Sequence, residues 1–203
     1  MTQSLLNSSL KSSAMNNPFK LSDEKLVARF VNGDINAYKE LVKRYKDKLF
    51  NFVMRYFNNR EQAEDVVQET LIKLYTHAHY YKDIAQFSTW IYTIAKNNAL
   101  TELRKNKAKK SDSMWTDDGK FIDIASSEIP LDEKVQNEIA VEKLNKYLLE
   151  LPENFRIAVY LRDFEEHSYE EISMILEIPI GTIKSRINRG RIMLAEKLKS
   201  YKE

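Results

Sequence analysis

No cysteine occurs anywhere in the 203 residues. Disulfides, thiol nucleophiles and cysteine-held zinc are therefore excluded, and the absence fits a reducing compartment. Glycine and proline are scarce, four of each, and the tract 34–118 contains neither. A stretch that long without either residue is open to helix throughout. No apolar run approaches the length needed to cross a bilayer, so no membrane insertion is expected. The opening segment "MTQSLLNSSLKSSAMNNPFK" is polar and lacks the apolar core of a secretory signal. Residues 1–20 read as a disordered tail, and the expected location is cytoplasmic.

Histidine is also rare. His77 and His79 stand two apart and His167 stands alone, with no third ligand at a defined spacing, so no metal is expected. Asp117 and Asp118 beside Gly119 complete no catalytic motif, and no glycine loop of the phosphate-cradling kinds is present. The chain does not read as an enzyme. No cofactor and no catalytic residue is expected.

Charge is present in blocks. The net charge is only +2, which says nothing by itself about nucleic acid. Yet "TELRKNKAKK" (101–110) holds five basic residues against one acidic, while 111–133 holds seven acidic against one basic. Residues 180–203 return to seven basic against two acidic. Segregation of this kind marks separate surfaces with separate partners.

Apolar spacing points to an all-α fold. Val66, Val67, Leu71, Leu74 and Tyr75 recur at three and four residues, as do Trp90, Ile91, Ile94, Ala95 and Leu103. Ile139, Ala140, Leu144, Leu148 and Leu151 repeat the pattern. The acidic stretch 106–134 breaks it with Ser, Asp, Gly and Pro, the composition of a linker. The expected architecture is two small helical domains, at 21–105 and 135–203, joined by an acidic flexible linker.

The richest stretch is "HSYEEISMILEIPIGTIKSRINRGRIML". Ser168 is placed to cap a helix, and Glu171 completes a capping box. Ile172, Ile175 and Leu176 supply its buried stripe. Pro179 ends that helix and is tolerated at the entry of the next. On the second helix Ile183, Ile187, Gly190 and Leu194 share a narrow arc, which predicts a core face. Thr182, Ser185, Asn188 and Arg189 lie opposite. Lys184 and Arg191 flank one side of that polar face, and Arg186 the other. Short polar donors between guanidinium groups suit the major groove, where Arg reads guanine bidentately and flanking cations hold phosphate. The motif is a helix-turn-helix with "PIGTIKSRINRGR" as recognition helix and its entry. A solvated amphipathic helix is the bland alternative, and the turn chemistry weighs against it. Two details stand apart. Glu177 occupies a turn position that favours glycine for its positive φ. Ile192 points outward with no groove contact assigned.

The segment "LPENFRIAVYLRDFEEHSYEEISMILEIPIGTIKSRINRGRIML" resembles the promoter-binding C-terminal domain of bacterial RNA polymerase sigma factors, of the compact extracytoplasmic-function type in the sigma-70 family. "SDEKLVARFVNGDINAYKELVKRYKDKLFNFVMRYFNNREQAEDVVQETLIKLY" resembles that family's first conserved region and its polymerase-binding helix. "FSTWIYTIAKNNALTELRK" resembles the segment that engages the promoter element near the start site. The two halves match independently and in order, over about 22–200.

That resemblance implies a sigma factor that binds core polymerase and reads −35 and −10 promoter elements. It places Asp65, Gln68 and Glu69 against the clamp helices of the β′ subunit, with the β subunit as a further contact. It maps 79–87 onto a loop that captures a flipped base, with Tyr80, Tyr81 and Phe87 as stacking candidates. Lys96, Asn97 and Arg104 are its −10 DNA candidates. Thr182, Lys184, Ser185, Arg186, Asn188, Arg189 and Arg191 are its −35 candidates. Trp90 reads better as core. Thr101 and Glu102 depart from the family's frequent Asp and Arg, and Glu102 is left off the DNA surface. For the acidic linker the family suggests occupancy of a polymerase channel; a plain tether fits the residues equally well. An anti-sigma protein is compatible as a partner, and the factor would join the nucleoid within holoenzyme. A stand-alone helix-turn-helix regulator is the alternative. It would carry a ligand pocket or receiver domain where this chain carries "AEDVVQETL". A decoy that binds partners but not promoters would lack the basic residues found here.

Overall fold

Four helices build an N-terminal body and a short chain of them builds a C-terminal one. The structure is a computed structural model that describes residues 21–57, 59–112 and 144–199. The expected tail, and most of the expected linker, lie outside the described residues. So do Asp117, Asp118, Gly119, Ile139 and Ala140. Every regular element among the described residues is helical, as the apolar spacing implied.

Helix α1 spans Asp23–Val31, α2 Ile35–Val53 and α3 Arg60–His77. A 3-10 turn at Ala78–Tyr80 follows, and α4 runs from Phe87 to Asp112. Polar residues start these helices locally. Ser22 accepts from the Lys25 amide, Asp34 from Asn36 and Ala37, and Asn59 from Gln62. Gly33 sits at φ 94 between α1 and α2, a left-handed turn that Arg29 closes by pairing with Asp34 at 2.6 Å.

Helix α4 extends seven residues past the expected boundary at 105. Residues 106–112 are Asn, Lys, Ala, Lys, Lys, Ser and Asp, with no Gly or Pro to stop a helix. The composition shift placed the end of this helix earlier than the structure does.

The N-terminal core is assembled from Leu26, Leu41, Leu49, Phe52, Leu74, Phe87, Ile91 and Tyr92, all fully or almost fully buried. Each such side chain contributes roughly 1.5–3 kcal/mol. Polar ties fix the helix registers. Arg44 binds Asp23 at 2.7 Å and Glu40 at 2.9 Å, and Tyr45 donates to Asp23. Between α3 and α4, Asn98 donates to Thr70 at 3.0 Å and accepts from Lys73.

In the C-terminal body residues 144–149 are helical, α5 spans Glu153–Asp163, α6 Tyr169–Leu176 and α7 Ile180–Lys199. Ile157, Leu161, Ile172, Ile175, Ile183, Ile187 and Leu194 fill its centre. The four residues assigned to the core arc of α7 are all buried.

The two bodies also pack on each other. Phe52 and Tyr92 of the first meet Tyr160 and His167 of the second, with ring centroids 6.4 Å and 4.9 Å apart. Arg55 lies 4.7 Å over the Tyr160 ring and donates to Asn145 at 3.0 Å.

Candidate nucleic-acid and protein interfaces

The helix-turn-helix is held by a dense set of local bonds. Ser168 and Glu171 form the capping box expected from their spacing, with bonds of 3.1 and 2.7 Å. Glu177 takes φ 57, the left-handed conformation that its turn position requires. An L-residue with a Cβ is strained there relative to glycine. Ser173 donates its hydroxyl to the Ile178 carbonyl at 2.6 Å and locks the turn. The Pro179 carbonyl then accepts from Thr182 and Ile183 and opens α7.

With the inner arc of α7 buried, its outer face is set. Thr182, Ser185, Asn188 and Arg189 are exposed together on it. Lys184 is exposed beside them, its ammonium 5.7 Å from the Tyr169 ring, and Arg186 is half-buried on the other flank. Arg191 is differently placed. Its Nε donates to Asp163 at 2.9 Å and a second nitrogen grips the other oxygen of the same carboxylate. That hydrogen-bonded carboxylate pushes the Arg191 pKa further up. Arg191 thus staples α7 to α5. Ile192 is exposed, as its spacing implied.

Around the start of α4 the sequence candidates separate. Tyr80 is 65% exposed and presents its ring, next to His79 at 4.0 Å between centroids. Tyr81 is half-buried. Its hydroxyl donates to the Ala85 carbonyl at 2.7 Å, and its ring packs on Phe87 and Trp90. Burial, with Glu24 and Asp83 nearby, pushes the Tyr81 phenol up to about 12. Phe87 is a correction. It is fully buried against Tyr45 and offers no face to a base. The apolar character that suggested stacking belongs to the core. Trp90 is partly buried against that core, in keeping with its helical position.

Glu24 of α1 supplies something that spacing could not show. Its Oε1 accepts from the Phe87 amide at 3.2 Å, so a distant carboxylate caps α4. Burial works against the charge, but backbone donors including Phe87 hold the carboxyl below its ordinary value. The loop 81–86 is thereby fixed between two anchored ends.

Along α4, Asn97 and Arg104 are exposed. Glu102 is half-buried and pairs with Lys105 at 3.4 Å. Lys96 is 4% exposed, which its place in a basic helix did not suggest. Its ammonium meets Glu177 of the helix-turn-helix at 2.8 Å.

On α3, Asp65, Gln68 and Glu69 are exposed, while Val66, Val67 and Leu74 are buried beneath them. Glu69 lies 3.2 Å from Lys73. Tyr75, counted in the buried stripe by its spacing, is half-exposed and packs edge-on against Tyr38. Ile72, at the next turn from Gln68, is exposed as well. Among the described residues no cluster of His, Cys, Asp or Glu could hold a metal ion, and no helix is long and apolar enough to cross a membrane.

This arrangement has relatives. The family models for Sigma-70 region 2 and Sigma-70 region 4 match residues 41–109 and 142–194. The RNA polymerase sigma-H factor of Pseudomonas aeruginosa is 35% identical over 173 residues, covering 83% of this chain and 90% of its own. The ECF RNA polymerase sigma factor SigW of Bacillus subtilis is 32% identical over 181 residues, covering 87% and 96%. Among solved structures, the sigma factor RpoE of Bartonella quintana in complex with the anti-sigma factor NepR aligns with a TM-score of 0.62. It is 26% identical and the alignment covers 80% of this chain and 96% of that one.

Proposed function

The chain belongs to the sigma-70 family of bacterial RNA polymerase sigma factors, in its extracytoplasmic-function (ECF) branch, and from that premise we propose how its two bodies share the work. As a sigma factor it binds core polymerase and directs promoter-specific initiation. The polymerase carries out the chemistry; this chain supplies position and specificity. Its place is then the cytoplasm, on the nucleoid when in holoenzyme.

The N-terminal body docks on core. Asp65, Gln68 and Glu69 meet the β′ clamp helices. They suit that task because α3 buries its opposite face and leaves these three free of the core. The same body reads the −10 element. Tyr80 stacks on an extruded base, a contact of roughly 1–3 kcal/mol. Asn97 and Arg104 reach the DNA from α4. Tyr81 shapes the loop from beneath.

The C-terminal body reads the −35 element as duplex, and the β subunit holds that body in place. Thr182, Ser185, Asn188 and Arg189 face the base edges, while Lys184 and Arg186 hold phosphates on either side. Arg191 contributes by fixing the angle between α7 and α5. An anti-sigma protein is a natural further partner, since the similar RpoE was solved with one.

One observation carries this reading. The α7 outer face is polar and cationic directly above a buried inner arc, on a helix-turn-helix that follows a region-2 body in the same chain. A stand-alone regulator has no use for that first body. Run-off transcription over a genomic promoter library, with and without purified core polymerase, tests it. Specific transcripts should appear only when both proteins are present. Tight, specific duplex binding by the chain alone, with no effect on core polymerase, would overturn the assignment.

A further inference from the structure

Two exposed imidazoles stand beside the ring assigned to base capture, and the promoter reading above leaves both unused. His77 closes α3, and Tyr80 ends the 3-10 turn that follows. Ala78 is buried between them, and its carbonyl accepts from the Tyr81 amide at 3.0 Å. The turn is therefore anchored, and it fixes the spacing of three rings. His79 lies against Tyr80 with centroids 4.0 Å apart and planes tilted by 42°. His77 stands further off, 5.8 Å from the same ring and tilted by 36°. His79 backs the phenol, and the 65% of Tyr80 left exposed is where a base can stack.

The state of His77 follows from counting protons. The Thr76 hydroxyl lies 2.9 Å from the Ile72 carbonyl and 2.6 Å from His77 Nδ1. It has one proton to donate. A carbonyl oxygen can only accept, so that proton goes to Ile72 and Nδ1 must donate to the hydroxyl oxygen. With the proton turned the other way, two oxygens would face each other at 2.9 Å with nothing between them. Only a ring protonated on Nδ1 makes both bonds. In the neutral imidazole Nε2 then carries a free lone pair, and among the described residues nothing donates to it.

A free acceptor beside a stacking ring does not suit a phosphate, which offers no proton. It suits the edge of a base. Adenine and cytosine carry an amino group at ring position 6 or 4, where guanine and thymine carry a carbonyl oxygen. The lone pair of Nε2 attracts the first pair and repels the second.

We propose that His77 is a specificity-determining residue of the −10 surface: its Nε2 accepts from the 6-amino group of adenine or the 4-amino group of cytosine in the base stacked on Tyr80. His79 is a positioning residue, holding the Tyr80 ring from the other side. The inference deepens the base-capture role given to Tyr80 above and rests on it.

Open-complex formation by holoenzyme, on a promoter drawn from the run-off library, is the test. Each adenine in the non-template strand of the −10 element is replaced in turn by purine, and each cytosine by 2-pyrimidinone. These changes remove the amino group alone. At one position the wild-type holoenzyme should lose about fivefold in affinity, the size of one hydrogen bond. His77→Phe keeps a ring without an acceptor. It should lose about as much on unmodified DNA and become indifferent to the replaced base. His77→Gln has a carbonyl acceptor and should keep part of the sensitivity. Position 77 is exposed, so neither substitution disturbs the core. Sensitivity that persists in His77→Phe overturns the proposal, as does its absence at every position in the wild type. If Tyr80→Ala still weakens open-complex formation in either case, base capture stands and His77 alone has been misassigned. If Tyr80→Ala changes nothing, the base-capture reading falls as well.

Discussion

Gly190 of α7 lies so close to Val159 of α5 that a Cβ at position 190 would come within 2.6 Å of the Val159 Cγ2 and 3.3 Å of the Phe155 Cβ. Val159 is itself buried and cannot swing away. The recognition helix is therefore seated by a missing methyl group. Gly190→Ala gains about 1 kcal/mol of helix propensity but forces overpacking that costs about 1–3 kcal/mol. Net destabilisation of the C-terminal body is expected in denaturant unfolding. Gly181→Ala is the control, since nothing lies within 4 Å of its added Cβ. A Gly190→Ala protein as stable as the control would show that α5 and α7 are not packed this closely.

Arg189 and Arg191 differ by two positions and by their surroundings. Arg189 is exposed on the outer face, while Arg191 is clamped by Asp163. Arg189→Ala should weaken promoter recognition by roughly 1–3 kcal/mol if it makes a bidentate base contact. Polymerase association should be unaffected. Asp163→Asn should leave −35 sequence preference intact and reduce affinity more evenly, because it loosens the seat of α7. Gel-shift competition of holoenzyme on matched and mismatched −35 sequences separates the two patterns. Equal loss of core binding in Arg189→Ala would remove α7 from the DNA.

Reversing charge on α3 tests the other interface. Asp65→Lys with Glu69→Lys puts two cations where the proposed contact with core polymerase has two exposed carboxylates. Affinity for core polymerase should fall at least about tenfold, mostly through slower association and with a changed salt dependence. Neither carboxylate supports the core of the body, so the thermal unfolding temperature should hardly move. Pull-down at wild-type efficiency would exclude this face.

Helical spacing makes much of this molecule legible in its sequence. The inner arc Ile183, Ile187, Gly190 and Leu194, the capping box at Ser168 and the positive φ at Glu177 all follow from local rules, and all are present. Local rules fail where the partner is far away in sequence. Phe87 and Tyr80 look alike in a list of loop aromatics, yet one faces Tyr45 from 42 residues earlier and the other faces solvent. Tyr75 fits a buried stripe by spacing but sits at its edge, against Tyr38 and Phe30. Lys96 reads as a surface cation until Glu177, 81 residues later, is seen to cover it. The Glu24 cap on α4 spans 63 residues and has no sequence signature at all.

His167 makes the packed arrangement sensitive to acid. Its ring is 5% exposed and stands edge-on to Tyr92. Glu171 lies 3.8 Å from Nδ1, Glu165 and Lys48 are also near, and the His167 carbonyl accepts from Arg162. Burial is the largest influence and holds the imidazole below its ordinary value of 6.5, against the pull of the two carboxylates. Between that depressed value and 6.5, the unfolded chain binds the proton that the folded chain refuses. Stability therefore rises with pH across this window. The contribution is fully present above about 6.5 and is lost as pH falls through the folded value. Thermal unfolding should shift downward between pH 7.5 and pH 5.5, and dye pairs across the two bodies should report opening in the same interval. His167→Gln keeps a polar side chain without the titration, and should flatten that part of both profiles. If the variant and the wild type lose stability in parallel over this range, the acid response comes from other groups and His167 has no part in it.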